Sequence, residues 1–319
     1  MLALTRSVKI LAYGLGFDAC GITLARPLDQ AYKRYLEALF EGRLSGLRYL
    51  TENPALRQDP RVLLPSAQTL IILLKSYYQG VRSRPPIAQY AWGKDYHQVL
   101  RRKVEIIGDY LLRKGGAGTE VRPFIDTAPI LEKAYAQQAG LGWIGKNTLL
   151  INPKLGSYTF IAGLATNLFL MPDAPFGRDL CGTCQRCVEA CPTGALEPYR
   201  LDVRRCIAYW TIEAPTLSEG APSSGSWIFG CDECQAVCPW NRFGRPHGET
   251  AFQPQPYFAW QVKDWAVATK SQIRSATRHS AIRRARPEKL KAIARQLCAS
   301  SEDANIREGQ FELCEGGRR

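Results

Sequence analysis

The sequence predicts an α+β protein in three parts, and three observations support this prediction. Residues 1–170 alternate between helix-like and strand-like patterns, which predicts a mixed α/β domain. Eight of the 11 cysteines fall between residues 181 and 238, in a small module that we place at residues 171–245. Residues 246–319 return to helix-like, basic sequence. We therefore expect an α/β first domain, a cysteine-rich module and a helical C-terminal region.

The first part contains one clear amphipathic helix and several strand-like runs. Residues 95–114 repeat apolar side chains at helical spacing. The run LIILL is continuously apolar, as in a central strand covered on both faces. It is also the longest apolar run, whereas a membrane-spanning helix needs roughly 20 residues. The predicted strands are residues 19–24, 69–77, 120–125 and 157–165.

A proline-rich stretch, MPDAPFGRDL, marks the boundary between the first part and the cysteine-rich module. Beyond the module we predict helices over residues 258–269 and 287–299. Cys298 and Cys314 lie outside the cysteine groups and are predicted to be unligated thiols.

The charge balance favours a polyanionic partner. Forty-two Lys and Arg against 29 Asp and Glu give a formal charge of +13, which suggests nucleic acid first. Between residues 274 and 295, eight basic side chains face the single acid Glu288, although a solvated helical face is the alternative for this run. The N-terminus shows no signal-peptide pattern, so we expect a cytoplasmic protein with reduced thiols. Only three histidines are present, which argues against a His-rich metal site.

The cysteines form two related groups. The first reads CxxCxxCxxxCP, and the second reads CxxCxxxCP with one cysteine missing. The first group is Cys181, Cys184, Cys187 and Cys191, followed by Pro192. The second group is Cys231, Cys234 and Cys238, followed by Pro239, and Cys206 can supply its missing member.

This spacing is typical of two [4Fe–4S] clusters in a bacterial-ferredoxin-like module. Three thiolates of a tight loop reach three corners of one cubane, and the fourth ligates the neighbouring cluster. Cluster one would take Cys181, Cys184 and Cys187 with Cys238. Cluster two would take Cys206, Cys231 and Cys234 with Cys191. Two zinc ribbons are the alternative, but they do not need this spacing.

Two clusters form a one-electron relay, and the patterns do not say where it ends. Gly14-Leu15-Gly16 lacks the third glycine of a dinucleotide fingerprint, and no P-loop is present. Composition and spacing alone predict an electron-transfer module fused to an α/β domain.

Several longer strings carry a resemblance to a known family. They are NPxxRxDPR from Asn53, YAWGKDYH from Tyr90, DTAP from Asp126, GLGWIGKN from Gly140 and GCDECQAVCPWN from Gly230. In this order, over about residues 1–290, the chain resembles the epoxyqueuosine reductase family.

The resemblance implies a cofactor and a reaction. It implies a base-off cobalamin in a reductive-dehalogenase-like first domain and the two clusters in the module that follows. Electrons would pass through the clusters to cobalamin, which would reduce epoxyqueuosine at the wobble position of tRNA to queuosine, the last step of queuosine biosynthesis. The expected partners are a tRNA anticodon stem-loop and a low-potential donor such as a flavodoxin or ferredoxin. We expect a monomer.

The resemblance also implies a general acid for the oxygen that leaves the epoxide. Asp126 follows the strand-like run EVRPFI and matches the family's acid. Burial against the corrin would raise its pKa. The alternative is that Asp126 caps a helix starting at Pro129, with Thr127 as a rival cap. His97 is expected to be hydrogen-bonded structure rather than a cobalt ligand. The expected cobalamin contacts are Arg57, Asp126, Lys146, Asn152, Ser157 and Asp232.

Two other functions stay open from the sequence. A reductive dehalogenase would share the cofactor and the clusters, but such enzymes usually carry an export signal and have no need of so basic a chain. A non-enzymatic electron carrier or cobalamin chaperone is the second. Longer family members carry a C-terminal helical-repeat extension, and we expect the basic run at residues 274–295 to replace its tRNA contacts.

Overall fold

The computed structural model describes residues 2–83, 85–217 and 220–300. Cys314 lies outside these residues. Within them no helix is both long enough and apolar enough to cross a membrane. The strands are β1 (Ala19–Leu24), β2 (Thr69–Ser76), β3 (Val121–Ile125), β4 (Trp143–Ile144), β5 (Leu150–Ile151), β6 (Thr159–Thr166), β7 (Leu196–Glu197) and β8 (Arg200–Leu201). The helices are α1 (Leu2–Gly14), α2 (Asp29–Phe40), α3 (Arg48–Thr51), α4 (Tyr96–Gly115), α5 (Glu132–Gln138), α6 (Arg186–Glu189), α7 (Glu233–Ala236), α8 (Val262–Val267) and α9 (Lys270–Ala276), and residues 287–300 are also helical.

Four strands form one antiparallel sheet in the order β1-β2-β6-β3. All eight residues of β2 are buried, because the strand is central and both faces of the sheet are covered. The apolar run LIILL therefore has the position that its sequence predicts. Pro123 lies in β3, an edge strand within this sheet, where its missing N–H breaks no inner ladder.

The two faces of the sheet build two cores. Ile71 and Leu73 pack with α1 and α4 on one face. Leu70, Ile72 and Leu74 pack with α5 on the other. Alternate residues of one strand thus serve opposite cores, as the two-residue repeat of a strand requires.

The amphipathic helix predicted at 95–114 is confirmed as α4, with Val104, Ile107 and Leu111 fully buried. The helix predicted at 258–269 is wrong in its start. Residues Pro256–Ala259 form a 3₁₀ turn, and α8 begins anew at Val262 after a capping box between Gln261 and Asp264. The helix predicted at 287–299 is confirmed.

The C-terminal region shares a third core with the first part of the chain. Trp92 packs there with Tyr257, Trp265 and Ile293, and with Phe229 of the cysteine-rich module. The hydroxyl of Tyr257 donates to the carbonyls of residues 91 and 92. This core fixes the C-terminal region against the start of α4.

Candidate functional site

Asp126 lies directly after β3, in a left-handed backbone conformation with φ of 57°. Its side chain is 41% exposed. The helix that follows begins at Glu132, after Leu131, which makes no side-chain cap hydrogen bond. A cap on a helix starting at Pro129, the structural alternative for Asp126, is therefore wrong.

Three side chains converge on the carboxylate of Asp126. The hydroxyl of Tyr96 donates to Oδ2 at 2.6 Å. His97 Nε2 lies 3.3 Å and Arg284 Nη1 lies 3.5 Å from the same oxygen. Tyr96 and His97 occupy the first turn of α4, whose N-cap Asp95 accepts the backbone N–H of His97 at 3.0 Å. The helix start thus aims two polar side chains at the end of the edge strand.

These contacts set the charges in the site. Desolvation raises the pKa of Asp126, but His97, Tyr96 and the charge of Arg284 more than offset it and lower the pKa to about 2. Desolvation lowers the pKa of His97, yet the nearby carboxylate of Asp126 and the contact with Asp95 (Nδ1 to Oδ1, 2.8 Å) raise it to about 9. The protein's own groups thus lower the pKa of Asp126, and the rise expected from burial against a corrin stays a prediction. At neutral pH the dissociable proton sits on His97 and Asp126 is a carboxylate.

Arg284 is shared between two carboxylates. Its Nε lies 3.2 Å from Glu213 Oε1, while Nη1 faces Asp126. Glu213 ends a short π-helix, Tyr209–Glu213, that begins three residues after Cys206. Short π-helices are rare in proteins overall, but those that occur are often found at functional sites. Arg284 therefore bridges the cysteine-rich module and the Asp126 site.

Glu132 is a second carboxyl beside Asp126. Burial, followed by the charge of Asp126, raises its pKa to about 8. Its Oε1 is buried and has no hydrogen-bond partner among the described residues. A neutral carboxylic acid therefore stands next to the Asp126 carboxylate near neutral pH.

The second cysteine group faces this site through a short chain of contacts. Asp232, between Cys231 and Cys234, accepts the backbone N–H of Gln89 at 2.7 Å. The next residue, Tyr90, places its ring 6.4 Å from the ring of Tyr96, which bonds Asp126. The second cysteine group is thus joined to Asp126 by contacting residues.

The thiols predicted to hold cluster one line a common pocket. Lys146, Asn147 and Trp240 complete its wall. Trp143 Nε1 donates to Cys181 Sγ at 3.3 Å. The cysteines in the wall are Cys181, Cys184, Cys187 and Cys238. Among the described residues no three His, Cys, Asp or Glu side chains converge on a point suited to a single metal ion. A pocket lined by four thiols is the arrangement that a cubane requires.

The thiols predicted to hold cluster two are close electrostatic neighbours. Burial, and further the charge of Cys206, raises the pKa of Cys231 to about 12. Burial and the charges of Cys231 and Cys206 raise the pKa of Cys234. Cys191 acts in the same direction on Cys206. Thiolates packed this closely repel one another, and bound iron would relieve the repulsion because a coordinating thiol is deprotonated outright.

Three of the expected cobalamin contacts are engaged within the protein. Arg57 is buried, donates to the carbonyl of Tyr49 and lies over the ring of Tyr35, 5.8 Å from its centroid. Lys146 donates to the carbonyl of Gly182 at 2.7 Å, beside the first cysteine group. Asn152 closes a turn, with Nδ2 on the carbonyl of Leu141 and Oδ1 on two backbone N–H groups.

The other two, Ser157 and Asp232, belong to one buried network. Gln235 bridges them, with Oε1 3.2 Å from Ser157 Oγ and Nε2 3.3 Å from Asp232 Oδ1. Asn241 accepts the backbone N–H of Ser157 at 2.7 Å. Gly156 lies so close to Asn241 that a Cβ at residue 156 would come within 2.3 Å of Asn241 Oδ1. The backbone φ of Gly156 is 74°. This network joins the start of β6 to the cysteine-rich module.

Sequence reasoning missed the roles of Tyr96, Glu132, Glu213 and Arg284 around Asp126, and it assigned His97 to structure only. The string DYH at the start of a predicted helix could have indicated Tyr96 and His97, because polar side chains in the first turn of a helix lie together at its end. Glu213 and Arg284 are distant in sequence and carried no signal.

Two family models match the chain. The model described as "Epoxyqueuosine reductase QueG, DUF1730" matches residues 57–127, which include Asp126. The model described as "4Fe-4S double cluster binding domain" matches residues 180–241, which include all eight grouped cysteines.

Curated relatives and solved structures extend the match over nearly the whole chain. An epoxyqueuosine reductase of Leadbetterella byssophila is 39% identical over 299 residues, covering 90% of this chain and 96% of the relative. A crystal structure of epoxyqueuosine reductase with an epoxyqueuosine-modified tRNA-Tyr stem loop is 29% identical, with a TM-score of 0.82, 92% of this chain and 80% of that chain covered. The Bacillus subtilis epoxyqueuosine reductase, solved with the catalytic loop of an aspartate swung out of the active site, is 28% identical, with a TM-score of 0.84 and coverage of 99% and 87%. On this similarity the chain belongs to the epoxyqueuosine reductase family.

Proposed function

We propose that this chain reduces epoxyqueuosine at the wobble position of tRNA to queuosine, with electrons delivered through two [4Fe–4S] clusters. The observation that carries the proposal is the placement of Asp126, which accepts a hydrogen bond from Tyr96, lies 3.3 Å from His97 Nε2 and is joined by contacts to the second cysteine group. A proton-holding site and an electron relay thus meet at one place. The family membership and the relative solved with an epoxyqueuosine stem loop support the same substrate.

The reaction fixes what the site must provide. Removing the epoxide oxygen breaks two C–O bonds and forms an alkene and water. The balance requires two electrons and two protons. Each cluster passes one electron at a time. Both electrons come from a low-potential donor outside the chain, such as a flavodoxin or ferredoxin. The chain's own residues must deliver the first of these protons to the leaving oxygen.

The charges described above assign the proton to His97. With a pKa of about 9 it is an imidazolium at neutral pH, and Asp126 holds and orients it. One proton passes from His97 to the leaving oxygen along the Asp126 carboxylate, whose side chain is 41% exposed, and water supplies the second proton. Tyr96 anchors that carboxylate through its hydroxyl, and burial raises the pKa of Tyr96 so that it stays protonated.

Cobalamin in its base-off form remains part of the proposal through the family resemblance, as the group that would bring electrons to the epoxide. In this structure the residues expected to contact it are bound to other protein groups. Arg57 and Asn152 are bonded to backbone carbonyls, Lys146 borders the first cysteine group, and Ser157 and Asp232 face each other across Gln235. We therefore derive no step through the corrin.

The tRNA would approach over the basic loop beside Arg284. Arg278, Arg283 and Arg286 are exposed on the segment at residues 278–286, and Arg284 extends this positive surface to Asp126. Backbone phosphates of an anticodon stem-loop are the polyanion that such a surface attracts. We propose that the chain acts on tRNA as a monomer.

The proposal is tested with anaerobically reconstituted protein, a chemical reductant and a stem-loop that contains epoxyqueuosine. Nucleoside mass spectrometry should show queuosine, lighter by one oxygen atom, formed over several turnovers. Loss of conversion when iron, cobalamin or reductant is omitted would separate their contributions. A protein that holds its clusters and takes up electrons, yet never converts the stem-loop, would be an electron carrier instead.

A further inference from the structure

The amide of Asn147 is buried and half satisfied. Asn147 is only 3% exposed, and its Oδ1 accepts the backbone N–H of Leu149 at 3.2 Å. That bond fixes which way the amide points. Nδ2 is buried and has no hydrogen-bond partner among the described residues. A buried donor without an acceptor costs free energy, so the site calls for an acceptor that protein atoms do not provide.

Asn147 borders the pocket of the first cysteine group. The pocket wall contains Asn147, Lys146 and the four thiols predicted to bind cluster one. The sulfur atoms of a cubane and its thiolates are hydrogen-bond acceptors. Trp143, four residues earlier, already donates to Cys181 Sγ at 3.3 Å. The segment at residues 143–147 therefore presents two N–H donors to the same group.

We propose that Asn147, together with Trp143, donates hydrogen bonds to sulfur atoms of the first cluster and raises its reduction potential. The inference rests on the two clusters of the proposed function. Reduction adds negative charge to a cluster, and an N–H donor stabilises that added charge, so the reduced state is favoured. Asn147 is a tuning residue and touches no substrate.

The position of the first cysteine group explains why a raised reduction potential would help electron transfer. Gly182, Thr183, Gln185 and Arg186, which alternate with its cysteines, are all exposed. The second group instead faces Asp126 through buried Asp232 and Gln89. A first cluster near the surface, made easier to reduce, accepts the electron from an external donor before it passes inward.

Two variants test the donor separately from the fold. Asn147→Ser keeps an oxygen that accepts the Leu149 N–H but is too short to reach the cluster. Asn147→Asp keeps the acceptor and replaces the donor by a negative charge. In reconstituted protein, an EPR-monitored redox titration should show the first cluster about ten-fold harder to reduce in Asn147→Ser, or about 59 mV lower for one electron. The shift should be larger in Asn147→Asp, and the second cluster should be unchanged.

Asn167→Ser is the matched control, because Asn167 Oδ1 also accepts a backbone N–H, from Glu120 at 2.9 Å, but its Nδ2 already donates to Gly118. Pulsed EPR should also show an exchangeable proton coupled to the first cluster that Asn147→Ser loses. Unchanged potential and coupling in Asn147→Ser would overturn the inference, even if Asn147→Asp shifted the potential by its charge. Normal iron content and stem-loop turnover in the same protein would then leave the proposed function standing. A wild-type protein that binds no first cluster would overturn both.

Discussion

Replacing Asp126 by Asn separates its acid–base role from its structural one. Asn tolerates the left-handed backbone at φ of 57° and still offers an oxygen to the Tyr96 hydroxyl. It cannot relay a proton. General-acid help is worth roughly 10²–10⁴-fold in rate, or about 3–5 kcal/mol of barrier. We expect Asp126→Asn to fold and keep its iron while losing turnover by that factor.

The same variant should also change the pH dependence, because Asp126 is one of two carboxylates that hold the proton on His97. A rise in the pKa from 6.5, the ordinary value for histidine, to about 9 corresponds to about 3 kcal/mol in favour of the imidazolium. Asp95, at 2.8 Å, remains after the substitution, whereas the contact at 3.3 Å is lost. Since the donor is protonated below its pKa, the wild-type rate should fall as pH rises through about 9. Any residual activity of Asp126→Asn should fall roughly one pH unit earlier.

The assay is stem-loop conversion measured across this pH range under single-turnover conditions. Asp95→Asn is the matched control, because Asn also caps α4 and the change weakens the hold on the His97 proton without touching Asp126. It should move the alkaline limb in the same direction and retain most of the rate at neutral pH. Near-normal turnover of Asp126→Asn with an unchanged alkaline limb would refute the assigned proton path.

Other predictions concern the clusters and the partner. Cys206→Ala should reduce bound iron from about eight to about four atoms per chain and leave the spectrum of the first cluster intact, and full iron content would contradict the assignment of Cys206. Charge reversal of Arg283 and Arg286 should weaken stem-loop binding and lower the slope of log affinity against log salt by about 1–2. Reversal of Arg113 and Lys114, exposed at the far end of α4, is its control and should change the slope little; equal effects would mean a diffuse attraction. Arg284→Gln should lower turnover more than binding because it faces Asp126 and Glu213, whereas a pure binding defect would place it with its exposed neighbours.

The sequence was sufficient for the elements whose pattern is local. The apolar run at β2 and the helical repeat of α4 predict their own burial, because each is decided by neighbours along the chain. The spacing of the eight grouped cysteines likewise predicts iron–sulfur clusters. The helix at 258–269 was predicted too long because apolar periodicity continued through Trp260, while the capping box at Gln261 restarts the backbone.

The site itself depended on contacts that no local pattern contains. Asp126 could be chosen through the resemblance, but its low pKa follows from Arg284 and from the first turn of α4, which meet only in the fold. Arg284 was grouped with the exposed arginines of a basic run, and its ion pair with Glu213 distinguishes it from them. The expected cobalamin contacts were chosen alongside the family resemblance, and the sequence does not reveal that Ser157 and Asp232 share Gln235 as a partner.

The most direct test of the central claim is made in cells. In a bacterium whose own epoxyqueuosine reductase gene is deleted, bulk tRNA should accumulate epoxyqueuosine. Expression of this chain should restore queuosine in the nucleoside mass spectrum, and expression of Asp126→Asn at an equal level should not. Persistent epoxyqueuosine with the wild-type chain, folded and loaded with iron, would contradict the proposed reaction.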